Sequence, residues 1–357
     1  MKYSGRALRD LQAVGAALAS APMRFQHSIT ATLLACAALL LPGGDLDGQM
    51  LEEDVRYPSG ELTLAALLLR PPGPGPHPAA VIVQGSGPSD RSNQWSRDIS
   101  EMLVGHGLAV LLTDKRGSGA SEGDWRVAGF DELADDALAG VAYLRGRSDI
   151  ASDRIGLVGL SQGGWIAPIA AASDDVAFVV NVSGASVGFA EQSFHEMANT
   201  TRQAGFGEEA VAGVLALNRA AGDYLIAGDW EGYREARERG METPWGDIAA
   251  GFPAGRDATI WTFLRQVVRF DPAPYWLQLD KPVFVAYGAL DERDNVPVAE
   301  SVRRLEFVFG SVRKTDFEIL VVPDVGHGIQ LEEHPHPLAP VFTVALGRWL
   351  GEHLRID

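Results

Sequence analysis

The sequence predicts an α/β architecture: a mostly parallel central sheet flanked by helices, with a helical insertion acting as a cap. Three observations carry this. Short runs of branched apolar residues recur along the chain, as in strands buried on both faces. Between them lie stretches with apolar residues at three-to-four spacing, the pattern of amphipathic helices. The two patterns alternate, which indicates right-handed βαβ crossovers.

The elements follow in order. The uncharged apolar run 29–41 comes after Met23-Arg24 and before Pro42-Gly43-Gly44. It is too short for a spanning helix, which needs about 20 apolar residues. Its basic flank and small-residue exit fit a secretory leader. Residues 1–49 are therefore expected to be an N-terminal extension with a signal peptide, with Met23 as a candidate start, and the protein is expected to be periplasmic or secreted. A helix packed on the body is the competing reading and would leave the protein cytoplasmic. The sole cysteine, Cys36, lies in this segment. The apolar run continues past it, unlike a lipoprotein cleavage site.

Strands are then expected at Glu61–Leu69, Ala79–Val83, Leu108–Thr113, Ile155–Gly159, Val176–Val182, Val283–Tyr287 and Phe317–Val322. Helical faces read clearly at Phe130–Arg147, Val298–Phe309 and Pro340–Leu354. From 185 to 271 only helical patterns occur, around Glu191–Gln203, Glu208–Ala221, Trp230–Gly240 and Ala258–Phe270. The core is therefore expected over 50–184 and 272–357, with the cap inserted between. The cap aromatics Phe194, Tyr224, Trp230, Trp245, Trp261 and Phe263 are expected mainly to pack a small core.

Composition removes several function classes. Thirty Lys+Arg against 47 Asp+Glu give a formal charge of −17. That argues against nucleic acid, which requires a basic face. A single cysteine supports neither an intrachain disulfide framework nor a Cys-rich zinc site. The cluster Glu332-Glu333-His334-Pro335-His336 is punctuated by proline and reads as a solvated loop rather than a metal site.

The chemistry-bearing signal is Gly159-Leu160-Ser161-Gln162-Gly163-Gly164, which follows a strand and opens a helix. In such a turn small neighbours permit strained backbone at the nucleophile, and the helix N-terminus favours a developing oxyanion. Ser161 is the expected nucleophile. Of eight histidines, His327 follows the strand Phe317–Val322 by a short loop, at the sheet edge where Ser161 sits, and is the expected base. The acid is expected after Val283–Tyr287: Asp291 first, with Asp294 as the alternative and Glu292 a weaker third. Oxyanion donors are expected from the backbone N–H of Gln162 and of Ser86, the latter in the loop Gln84-Gly85-Ser86-Gly87-Pro88-Ser89-Asp90-Arg91. The segment Asp114-Lys115-Arg116-Gly117-Ser118-Gly119-Ala120-Ser121 reads as a structural turn, with Asp114 and Arg116 expected to pair.

With these motifs in series, the chain resembles the α/β-hydrolase superfamily, and within it bacterial serine carboxylesterases, over roughly residues 50–355. Two positions depart from that pattern. Gln84 and Leu160 stand where those esterases carry histidine, and Gln84 bears on the shape of the oxyanion loop. The resemblance implies hydrolysis of small or medium carboxylic esters through an acyl-enzyme on Ser161, without a cofactor or metal. A serine peptidase or thioesterase on the same site is the alternative, and an inactive hydrolase-fold binding protein is the alternative from another class. The expected partner is a small-molecule ester, mostly neutral, with no nucleic acid and no stable membrane span in the mature chain. Oligomeric state is not written in the sequence.

Overall fold

The structure is a computed structural model that describes residues 49–332 and 335–354, which belong to one compact unit. The segment expected from sequence to be a leader, with His27 and Cys36, lies outside the described residues, as do Glu333 and His334.

Eight strands form one sheet: β1 Leu51–Ser59, β2 Leu62–Arg70, β3 His77–Val83, β4 Ala109–Thr113, β5 Ile150–Leu160, β6 Val179–Val182, β7 Val283–Gly288 and β8 Phe317–Val322. Their order is β1-β2-β4-β3-β5-β6-β7-β8. The β1–β2 and β2–β4 pairs are antiparallel, and the pairs from β4 through β3, β5, β6 and β7 to β8 are parallel. The parallel strands read as apolar runs because helices cover both faces. Alternate residues of each strand serve opposite sides. Val81, Leu111, Leu157 and Val285 face one core, whereas Ile82, Leu112, Val158 and Phe284 face the other.

Two layers of helices close these cores. On the first side lie α2 Phe130–Arg145, α3 Gly163–Ala170 and, later in the chain, Trp276, Leu305 and Phe309. On the second lie α1 Gln94–Gly105, through Ile99 and Leu103, and the C-terminal helix Pro340–Leu354, through Phe342, Leu346, Trp349 and Leu350. Burying each such large side chain contributes about 1.5–3 kcal/mol before entropy is subtracted.

Strand β1 adds to the strands expected from sequence, the first of which is Glu61–Leu69. Val55, Tyr57 and Ser59 point inward and alternate with exposed Asp54, Arg56 and Pro58. A sheet edge tolerates charge and proline on its free side, so hydropathy alone does not reveal it. Strand β5 runs longer than expected, from Ile150, which pairs with His77 across a register shift before the ladder resumes at Ile155. Strand β8 lies at the opposite edge and is mostly half-buried.

Between β6 and β7 the chain is helical: α4 Phe189–Gln203, α5 Glu208–Ala227, α6 Trp230–Met241, α7 Gly246–Ala250, α8 Ile260–Val267 and α9 Ala273–Gln278. Helix α10, Val298–Ser311, follows β7, and the C-terminal helix above is α11. The insertion has its own core of Val214, Leu217, Tyr224, Tyr233, Trp245 and Trp261. Phe263 instead packs into the main core, 5.9 Å from the Phe130 ring. Phe194 lines a cavity of about 640 Å³ between the insertion's helices.

The strand order positions the site. From β3 the chain crosses to β4 on one side, while β5 pairs on the other. The loops leaving β3 and β5 therefore part at their C-terminal ends and open a crevice there.

Candidate active site

Ser161 stands at the turn from β5 into α3 with φ of 52°, a left-handed conformation that costs energy for a side chain with a Cβ. The turn closes because its glycines permit contact that no side chain would. A Cβ on Gly159 would lie 2.3 Å from the Gly163 carbonyl oxygen, and one on Gly163 would lie 2.0 Å from that of Val83. Backbone bonds fix the rest. Ser161 N donates to Val182 O at 2.9 Å, and Gly164 N donates to Ser161 O at 2.8 Å. Helix α3 starts at Gly163 with Gln162 as its cap residue, so its N-terminus abuts the nucleophile position.

His327 lies in the loop after β8 and Asp291 in a short 3₁₀ turn, Ala289–Arg293, after β7. The Asp291 carboxylate is fully buried, and its Oδ2 sits 2.7 Å from His327 Nδ1. Its other oxygen accepts the Asn295 backbone N–H at 3.2 Å. The two loops are stitched together, since Leu290 N donates to Val325 O at 2.9 Å. Ser183, just beyond the Val182 carbonyl that receives Ser161 N–H, donates its hydroxyl to His327 O at 2.6 Å. The nucleophile turn and the histidine loop thus share the end of β6 as a common anchor.

Asp294 does not reach the histidine pair. It is exposed, and among the described residues its carboxylate takes a 3.4 Å bond from Gln203 Nε2. Glu292 accepts the Ala299 N–H at 2.8 Å and caps the start of α10. Of the three carboxylates that the sequence offers, Asp291 is the one brought to His327.

The loop after β3 lies against the nucleophile. A Cβ on Gly85 would stand 3.4 Å from Ser161 Cβ and 4.0 Å from its Oγ. Among the described residues, neither Ser86 nor Gln162 donates its backbone N–H to a partner elsewhere in the fold. Gln84 is buried and serves as a staple for this loop. Its Nε2 donates to Thr113 O at 2.8 Å, and its Oε1 accepts the hydroxyls of Ser89 at 3.0 Å and Ser96 at 2.7 Å. The amide ties the loop to both β4 and α1.

The pairing expected for the turn after β4 is corrected. Asp114 pairs with Arg91, Oδ2 to Nη2 at 2.9 Å, and Arg116 pairs with Asp136 at 2.6 Å. Arg91 reaches the buried Asp114 from the loop after β3, while Arg116 turns to Asp136 on α2. Burial pushes the Asp114 carboxyl up. Bonds from Arg91 and the Ala120 N–H outweigh burial and hold it below the usual carboxylate range.

Several residues at the site carry no clear mark in the sequence. Trp95 sets its ring 5.5 Å from that of His327. Asn295 faces His327 Nε2 at 3.5 Å and accepts from Gln192 of α4 at 3.0 Å. Asn199 of the same helix donates to the carbonyls of Glu292 and Asp294, both at 3.2 Å, so α4 is fastened to the acid turn. Glu196, also on α4, has its carboxyl raised by burial; the His327 charge opposes this, and Asp294 and Asp291 add to it. The polar face of an amphipathic helix carries no signal for which neighbour it meets. Lys115 differs, because its Asp-Lys-Arg-Gly motif is visible in the sequence although its role is not.

The family model described as X-Pro dipeptidyl-peptidase (S15 family) matches residues 59–239. Over 103 residues the chain is 34% identical to esterase EstD of Thermotoga maritima, a stretch covering 28% of this chain and 24% of that protein. The match thus spans about a quarter of that relative's length. Among solved structures, an esterase of Pyrococcus furiosus is similar with a TM-score of 0.56 and 18% identity, over 85% of this chain and 92% of that one. Est1E of Butyrivibrio proteoclasticus, solved with ferulic acid bound, has a TM-score of 0.55 and 19% identity, over 84% and 99%. A proline iminopeptidase of Mycobacterium smegmatis has a TM-score of 0.54 and 18% identity, over 85% and 100%. At such identities the structural likeness carries the fold, which is that of the α/β-hydrolases.

Proposed function

The chain belongs to the S15 family, described as X-Pro dipeptidyl-peptidases, and on that premise we propose that it is a serine hydrolase that cleaves small or medium carboxylic esters. The single observation that carries the serine mechanism is the 2.7 Å contact between His327 Nδ1 and the buried Asp291 carboxylate. A carboxylate bound there fixes the imidazole tautomer and leaves Nε2 as the proton acceptor. In this reading His327 Nε2 takes the Ser161 hydroxyl proton as Oγ attacks the ester carbonyl. The N–H groups of Ser86 and Gln162 hold the oxyanion. The intermediate collapses, the C–O bond to the alcohol breaks, and His327 returns the proton to the leaving oxygen. Water then attacks the acyl-enzyme with His327 as base, releasing the acid and restoring Ser161. Export by the 29–41 segment belongs to the same proposal and rests on its leader-like pattern.

Ester rather than peptide cleavage is supported by the segment shared with the Thermotoga maritima esterase. A second reading, removal of an Xaa-Pro dipeptide, is favoured by the family match and by Glu196. Its carboxylate, within electrostatic reach of His327, would pair with a substrate α-amine. A p-nitrophenyl ester chain-length series assayed beside Xaa-Pro p-nitroanilides and a thioester tests the choice. We expect the highest kcat/KM on a short or medium acyl ester. Faster turnover of an Xaa-Pro anilide than of every ester would replace the esterase reading with the peptidase one.

A further inference from the structure

Lys115 follows β4 and is buried, at 7% exposure. Its ammonium donates to Gly85 O at 2.7 Å, to Gly87 O at 3.3 Å and to Gln162 Oε1 at 2.7 Å. The Trp125 ring covers it, 5.6 Å from ring centroid to Nζ. All three acceptors are neutral, and burial alone lowers the amine to a pKa of about 7. A cation placed there is costly to the fold, and a packed apolar side chain would cost less. The nearby charged groups are engaged elsewhere, Asp114 with Arg91 and Arg116 with Asp136. Packing does not account for this ammonium, whereas its three contacts do: they lie on the two segments that flank Ser161.

The Gly85 carbonyl and the Ser86 N–H belong to one planar peptide unit. An N–H donor on that carbonyl fixes the plane and polarises the unit, which makes the Ser86 N–H a stronger donor. The same ammonium holds the Gln162 side chain, and so ties the loop after β3 to the start of α3. We propose that Lys115 is a positioning residue for the oxyanion hole, its amine clamping together the two segments that carry the Ser86 and Gln162 N–H groups. This rests on the serine-hydrolase reading above.

The test compares wild type, Lys115→Met and Lys115→Gln on a p-nitrophenyl ester, with an arylboronic acid as a tetrahedral anionic mimic of the intermediate. Lys115→Met is expected to lower kcat by roughly 10²–10³, the size of losing one oxyanion donor, with KM within about threefold. Boronate affinity should fall in step with kcat/KM. Lys115→Met leaves three carbonyl acceptors without their donor, so its melting temperature is expected to fall, and kcat is compared in folded protein. Lys115→Gln keeps a neutral donor and should fall between the two; it carries the test if the Met variant does not fold. Retention of kcat within about threefold in the folded variants, or a loss of kcat with boronate affinity unchanged, overturns the inference. A wild-type protein that neither hydrolyses esters nor reacts at Ser161 instead removes the serine-hydrolase reading, so the two failures are distinguishable.

Discussion

Asp291 and Asp294 share one turn, and what separates them is depth. The first is fully buried against an imidazole nitrogen; the second is exposed and meets a glutamine amide from the cap. Asp291→Asn is expected to lower kcat by roughly 10⁴, since an amide in that place stabilises the wrong imidazole tautomer. Asp294→Asn should stay within a few-fold of wild type. The comparison is read from kcat of the two purified variants, and a larger loss for Asp294→Asn would reverse the assignment. Much of the candidate site is legible in the sequence, because Ser161, Asp291 and His327 each follow a recognisable strand run and belong to residue types with a chemical use. The roles of Lys115 and Glu196 are not. That of Lys115 comes from burial beneath Trp125, and that of Glu196 from the direction in which a cap helix faces. Both depend on contacts between residues far apart in sequence.

At the scale of elements, the turn between β5 and α3 depends on missing side chains. A methyl group on Gly163 would press into the Val83 carbonyl, which belongs to β3 and cannot move without shifting the loop beside Ser161. Gly163→Ala is therefore expected to cost about 1–3 kcal/mol or more by overpacking, and to depress activity even where the protein stays folded. Gly222, in the middle of α5, has open space where its Cβ would lie. Gly222→Ala is expected to be neutral or to stabilise by up to about 1 kcal/mol. Urea unfolding of both variants checks the pair, and equal midpoints would contradict it. The central strands and the helix faces can be read from periodicity because burial on one or two faces imposes it. Strand β1 escapes that reading. It is an edge, with its free side given to Asp54, Arg56 and Pro58, and only its inward alternation marks it as a strand. The pairing of Asp114 with Arg91 escapes it too, because the loop after β3 and the turn after β4 meet only when β3 and β4 lie side by side.

At the scale of the whole molecule, the site is a product of strand order. The loop with Ser86 follows β3, Ser161 follows β5, Asp291 follows β7 and His327 follows β8, all at the C-terminal edge of one parallel array. None of these groups is near the others along the chain, so reactivity at Ser161 should exist only in the folded protein. The full chain carries a formal charge of −17, the basis on which a mostly neutral substrate is expected from sequence. The most direct measurement is reaction with a fluorophosphonate, followed by mass-spectrometric mapping of the adduct. Folded wild type is expected to carry one adduct, on Ser161. Ser161→Ala and the protein in denaturant should carry none. Folded wild type that remains unlabelled, or Ser161→Ala labelled at the wild-type rate, would contradict the assignment of Ser161 as the nucleophile.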